Sequence, residues 1–120
     1  MEKAHKKLKV WQESMALAKL IYKTTNVLLP SELYGLSSQL KRSAVSIPSN
    51  IAEGAARQGT KEAIQFYMIA RGSLSEMDTQ IELCRELDLI SSSEIQSIMD
   101  HISKVDSLLS GLIRYKRKAV

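Results

Sequence analysis

Cysteine, proline and glycine are all scarce in this chain, and each scarcity rules something out. A single cysteine, Cys84, has no internal partner for a disulfide, which excludes a stapled secreted scaffold and fits a reducing cytoplasm. Two prolines and five glycines in 120 residues are too few for the turns of an all-β chain. One Phe and one Trp leave Leu, Ile, Val, Ala and Met to fill the interior. No apolar stretch reaches the roughly 18 uninterrupted residues of a membrane span, and no apolar core follows the Lys-rich start. Neither a membrane partner nor an export signal is expected, and the expected location is the cytoplasm.

What is present is enough apolar material for a core, 44% of the residues, at a length that suits one domain. The net charge is +4, and the cations gather at the ends: Lys3, Lys6, Lys7 and Lys9, then Arg114, Lys116, Arg117 and Lys118. A basic balance favours a polyanion partner, RNA or DNA. Frayed, solvated tails explain the same clusters.

Hydrophobic spacing predicts four helices, at about 7–28, 36–56, 61–89 and 92–115. On the first, Leu8, Trp11, Met15, Ala18 and Tyr22 step by bundle-seam intervals, with Val10, Leu17, Ile21 and Leu28 as a second stripe. Leu29-Pro30-Ser31 should end it. Leu36, Leu40, Ala44, Ile47 and Ile51 form the core face of the second helix; Val45, Ala52 and Ala56 form a small-residue face beside it. Tyr67, Ala70, Leu74, Met77, Ile81 and Cys84 make the third seam, with Thr60 as its expected N-cap and tight packing as the expected reason for the off-seam Gly72. Ser91 with Glu94 reads as a capping box for the fourth, whose seam is Ile95, Ile98, Ile102, Val105, Leu109 and Leu112. The tail past Arg114 should fray. Short connections and bundle seams predict an all-α, antiparallel up-down-up-down four-helix bundle.

The unusual stretch is Ser46-Ile47-Pro48-Ser49-Asn50-Ile51-Ala52-Glu53-Gly54. Pro48 in a helix interior removes the hydrogen bond to the Ala44 carbonyl at a cost of ~3 kcal/mol or more. Two readings stand: a kink that aims a polar stripe, or a bend that fits the helix round its neighbours. That stripe is Gln39, Arg42, Ser46, Asn50, Glu53 and Arg57, within roughly 80° of arc. Asn50 and Glu53 either bond across a subunit boundary or face water. Leu20 and Ile69 lie off the seams, and the doubled apolar stripes of the first two helices exceed what a lone small bundle buries, which implies self-association.

Catalytic chemistry is not legible. A di-metal bundle needs Glu-x-x-His on two core helices, and the literal match, Glu2-Lys3-Ala4-His5, sits on a chain end. His101 reads as a surface histidine and Cys84 as a small core residue. No Walker lysine, Gly-rich loop or nucleophile elbow occurs. The expectation is no enzyme, no metal and no cofactor. For nucleic acid, the candidate contacts are Lys6, Lys7, Lys9, Lys41, Arg42, Arg57, Arg114, Lys116, Arg117 and Lys118; stacking residues are limited to Tyr34 and Tyr115.

The run from Tyr34-Gly35-Leu36 through Gln39, Ser46-Ile47-Pro48-Ser49-Asn50 and Ala52-Glu53-Gly54 resembles the signature of the four-helix bundle proteins encoded in 23S rRNA intervening sequences. Trp11 with Ser14, Arg57, and Ala70-Arg71-Gly72-Ser73-Leu74-Ser75-Glu76 match as well, so the resemblance covers about residues 8–115. Leu29-Pro30 stands where an aromatic-proline pair is usual, and Lys41-Arg42-Ser43 where two arginines and an alanine are common. The resemblance implies a bacterial cytoplasmic protein and a homopentamer. It marks Gly35, Gln39, Ser46, Pro48, Asn50, Glu53 and Gly54 as a structural and interface motif. A related group serves as accessory proteins of diversity-generating retroelements. That relation supplies an alternative to RNA binding: an adaptor that holds a reverse transcriptase.

Overall fold

The computed structural model describes residues 3–28 and 35–118. A short 3-10 turn, Ala4–Lys7, leads into α1 (Lys9–Thr25), followed by α2 (Leu36–Ala55), α3 (Thr60–Glu86) and α4 (Ser92–Lys118). No strand occurs among the described residues. Each helix packs on the next, α4 also packs on α1, and among the described residues the backbones of the diagonal pairs do not approach closely. The result is a closed square of helices, 46 × 25 × 19 Å. Its long axis matches helices of 27 residues at a rise of ~1.5 Å each.

The expected helices are all present, with shifted ends. α1 is shorter than the expected 7–28, because Lys6 and Lys7 belong to the 3-10 turn and Leu8 is extended at φ −77°, ψ 126°. The break expected at Leu29-Pro30-Ser31, and Tyr34, lie outside the described residues. α3 starts after Gly59, which takes the N-cap position expected of Thr60. It stops at Glu86 rather than near Leu89, because Asp88 adopts a left-handed φ of 54°. The Leu89 amide then bonds back to the Cys84 carbonyl at 2.9 Å, the closure usually built on glycine. At α4, Ser91 Oγ accepts from the Glu94 amide at 3.3 Å, the serine half of the expected capping box, and donates to Glu94 Oε1 at 2.9 Å, so the carboxylate meets the serine hydroxyl. α4 does not fray at Arg114; it stays helical to Lys118, where Lys116, Arg117 and Lys118 oppose the negative end of the helix dipole.

The seams of α2 and α3 are buried as expected, from Leu40 to Ile51 and from Tyr67 to Cys84; Leu36 is half-buried. On α4 the last buried position is Ile113, not Leu112. A straight helix drifts against a strict 3.5-residue repeat, and over the 18 residues from Ile95 to Ile113 the drift has moved the seam by one position. On α1 the order of the two stripes is reversed. Val10, Ser14, Leu17 and Ile21 face the core, while Met15 and Tyr22 remain 39% and 43% exposed. Ser14 hid this stripe in the sequence. Its hydroxyl is buried but donates to the Trp11 carbonyl at 2.8 Å, so it needs no water.

Two glycines differ in kind. A Cβ on Gly72 would meet nothing within 4 Å, which corrects the expectation of tight packing there. A Cβ on Gly54 would stand 2.5 Å from Tyr67 Cε1 and 3.0 Å from the Ala63 carbonyl oxygen. Gly54 is therefore where α2 and α3 approach most tightly against a ring, and Gly54→Ala is expected to destabilise the fold by about 1–3 kcal/mol, read as a lower urea midpoint with unchanged slope. Burial pushes the Tyr67 phenol above its ordinary value near 10. Its contribution is complete below the unfolded pKa and is lost as pH rises through the folded one. Stability should thus fall above about pH 10, and Tyr67→Phe should flatten that alkaline limb in a pH series of melts.

Candidate functional site

The polar stripe of α2 divides into two parts. Its middle is a hydrogen-bonded seam with α3. Ser43 Oγ, buried, donates toward the Leu40 carbonyl (3.0 Å) and Gln80 Oε1 (2.9 Å). Ser46 Oγ and Ser73 Oγ lie 2.7 Å apart. Asn50 Nδ2 donates to the Ser46 carbonyl at 2.8 Å and to Ser46 Oγ at 3.0 Å. Asn50 therefore braces the serine that joins the two helices. Pro48 is buried, and α2 continues through it. Gln39, Arg42, Ser43, Ser46, Ser73 and Glu76 line a shallow polar cleft of about 210 Å³ along this seam.

The outer part of the stripe is exposed. Arg57 Nη2 meets Glu53 Oε2 at 2.7 Å, one helical turn apart, and its guanidinium stands 4.7 Å from the centre of the Phe66 ring. Both side chains of the ion pair are well exposed, so it adds little to stability. It does offset the charge of Arg57. Gln39 and Arg42 are exposed, and Gly35 is the exposed N-cap of α2.

The basic residues fall in two places. Lys6 and Lys7 sit on the 3-10 turn, which packs on α1 and α2, and Gln12 Nε2 holds that turn through the Lys6 carbonyl at 2.9 Å. The Gly54–Ala63 contact puts Arg57 beside the start of α3, where Lys61 is exposed. Arg71 Nε and Asp106 Oδ1 are 3.7 Å apart; ten residues back from one and ten forward from the other lie Lys61 and Lys116. Lys6, Lys7, Lys9, Arg57, Arg114, Lys116, Arg117 and Lys118 thus gather toward one end of the square, and Lys61 joins them. Lys41 and Arg42 do not: sixteen residues separate Lys41 from Arg57, about 24 Å along a helix. Lys41 instead caps Tyr22, its Nζ 5.4 Å from the ring centre. Tyr115 is exposed near the same basic end.

Sequence reasoning misplaced His101. It is half-buried, not a free surface residue, and its Nε2 lies 3.1 Å from the Glu13 carbonyl oxygen and 3.3 Å from Glu13 Oε1. Lys104 Nζ also reaches Glu13 Oε1 at 3.3 Å. The two residues tie α4 to α1. Comparison of Asp100 and His101 along the chain gave no signal for this, since the partner comes from another helix. Cys84 is buried on its seam, where the spacing put it. Among the described residues no group of three or more His, Cys, Asp or Glu is placed to hold a metal ion, and no described helix is long and apolar enough to cross a membrane.

Four helices, a hydroxyl-and-glycine seam between α2 and α3, and a basic end define an all-α helical protein organised on its second helix. Residues 6–111 match the family described as 23S rRNA-intervening sequence protein, and the chain belongs to that family. No curated protein sequence matches it. A crystal structure of a protein of unknown function from Bacteroides thetaiotaomicron, assigned to the S23 ribosomal protein family, is similar: TM-score 0.81 and 26% identity over 87% of this chain and 97% of that one.

The seam is expected to be structural. Asn50→Ala and Ser46→Ala should each lower stability by about 1 kcal/mol, and a double-mutant cycle between them should show coupling of at least ~0.5 kcal/mol, measured by urea unfolding. Additive losses would mean that Asn50 does not act through Ser46.

Proposed function

We propose that the chain is a non-enzymatic, cytoplasmic bundle of antiparallel, up-down-up-down helices that assembles into a homo-oligomeric ring, a homopentamer, and holds structured RNA against its basic end. The antiparallel reading is supported by the facing pairs of α2 and α3, Ser43 with Gln80, Ser46 with Ser73 and Gly54 with Tyr67, whose numbers run in opposite senses. The pentamer is carried over from the family resemblance. Exposed apolar residues on α1, α2 and α3 support association.

The observation that carries the RNA reading is the convergence of both basic chain ends, with Lys61, on one end of the bundle. Separate in sequence, they form a single electrostatic footprint in space. A fixed cationic surface without base-reading side chains favours phosphate contacts, hence recognition of RNA shape rather than sequence. Ring assembly would repeat this footprint and raise avidity without new contacts.

A salt titration with a labelled rRNA fragment tests the reading. Binding should weaken linearly in log–log form, and replacing Lys116, Arg117 and Lys118 by Ala should reduce the slope by about 2–3. Affinity that is independent of salt, or no better than for an uncharged control, would sink it. A protein partner such as a reverse transcriptase, retained in pull-downs after nuclease treatment, would instead favour the adaptor role.

A further inference from the structure

The cleft along the α2–α3 seam is lined by polar side chains alone: Gln39, Arg42, Ser43 and Ser46 from α2, Ser73 and Glu76 from α3. Its 210 Å³ far exceeds the roughly 10–15 Å³ that one water needs. The basic end makes no use of it, and Gln39, Arg42 and Glu76 take no part in the hydrogen bonds that join the helices.

The floor of the cleft offers a donor. The 2.8 Å contact from Asn50 to the Ser46 carbonyl identifies the amide nitrogen, because an amide oxygen there would face another oxygen. The same Nδ2 donates to Ser46 Oγ at 3.0 Å. Ser46 therefore sends its own proton to Ser73 Oγ, 2.7 Å away. Ser73 accepts, and its proton finds no acceptor among the described residues. Ser73 is only 5% exposed, so this donor lies at the bottom of the cleft. A buried hydroxyl proton without an acceptor is unfavourable, and an acceptor seated in the cleft removes that penalty.

The walls carry opposite charges that do not meet. Arg42 and Glu76 are both exposed, and no approach within 4.0 Å joins them or pairs either with another described residue. Elsewhere facing charges have closed, Glu53 on Arg57 at 2.7 Å and Arg71 on Asp106 at 3.7 Å. A molecule in the cleft thus meets a guanidinium on the α2 side, a carboxylate on the α3 side and a hydroxyl proton below. An α-amino-acid head group has the matching parts: a carboxylate for Arg42 and Ser73, and an ammonium for Glu76. No apolar or aromatic side chain lines the cleft, so it offers nothing to a large apolar substituent.

We propose that this cleft is a binding site for a small zwitterion, an amino acid of the size of glycine or serine, held between Arg42 with Ser73 on one side and Glu76 on the other. The site stands apart from the basic end and does not rest on the RNA reading.

Glycine titrated into the full chain tests it, by calorimetry and saturation-transfer NMR, with an expected Kd of about 1 mM or tighter. Arg42→Ala and Glu76→Gln lie at exposed positions, and circular dichroism checks that their helices persist. Each should weaken binding by about tenfold or more. Acetate and methylamine, which each carry half of the zwitterion, should bind about tenfold more weakly than glycine, as should glycine betaine, whose ammonium has no N–H to donate. Asn50→Ala should weaken binding about threefold although Asn50 does not line the cleft: without its amide, Ser46 Oγ can accept, and Ser73 can turn its proton away. Failure of glycine to bind, or equal affinity in Arg42→Ala and Glu76→Gln, would overturn the proposal. Acetate as tight as glycine would reveal a simple anion site, and betaine as tight would exclude Glu76; either result refutes the zwitterion. Unchanged affinity in Asn50→Ala would refute the part given to Ser73.

Discussion

The close approach of α2 to α3 is the constraint on which the rest depends. At Gly54 the distance leaves no room for a methyl group, and at Ser46 and Ser73 the two helices meet through hydroxyls only 2.7 Å apart. Small side chains make this possible, and they carry a requirement. A buried hydroxyl without a partner destabilises, so each serine must find an acceptor or donor at the level where the helices touch. Asn50 fills that role one turn along α2, and Gln80 does so for Ser43. Hydrogen bonds of this sort are directional, so they fix the register of α2 against α3 more tightly than aliphatic packing alone. With that register set, α1 and α4 close the square by packing along the flanks.

Much of this was legible in the sequence, for a definable reason. Where no polar residue interrupts the seam, as from Tyr67 to Cys84 on α3, seven-residue spacing identifies both the helix and its buried face. On α1 the same spacing pointed to the wrong face. Periodicity reports that a stripe packs, not against what, and the buried Ser14 interrupted the stripe that the core uses. Gly72 misled in a related way. Glycine in a helix signals room for a close neighbour, and the chain alone does not say whether that neighbour is internal. The Gly54 site was readable because its companions, Ser46 and Asn50, are all poor helix residues that need a tertiary reason. His101 was not readable, because its partners lie 88 residues away on α1. The convergence of the basic ends was invisible for the same reason: it is a property of how the helices are connected in space.

Family membership and physical reading support each other at different levels. The family match covers residues 6–111, and the motif at its centre forms the α2–α3 seam. Most of the cations lie elsewhere, toward one end of the bundle, although Arg42 lines the cleft of the seam. Architecture and surface charge are thus carried by different residues. Substitutions in the seam act on folding; substitutions at the basic end act on what the surface attracts.

The closed square also sets an order of entropic costs during folding. Three of its four helix contacts join consecutive helices, and α2 meets α3 across a separation of 27 residues at Ser46 and Ser73. The fourth joins α1 to α4, with Glu13 and His101 separated by 88 residues. Closing the longer loop costs about 1 kcal/mol more than the shorter on a logarithmic scale. The α2–α3 pair is thereby a less costly nucleus than the α1–α4 contact, which, with its histidine bridge, becomes cheap only after the intervening helices have docked.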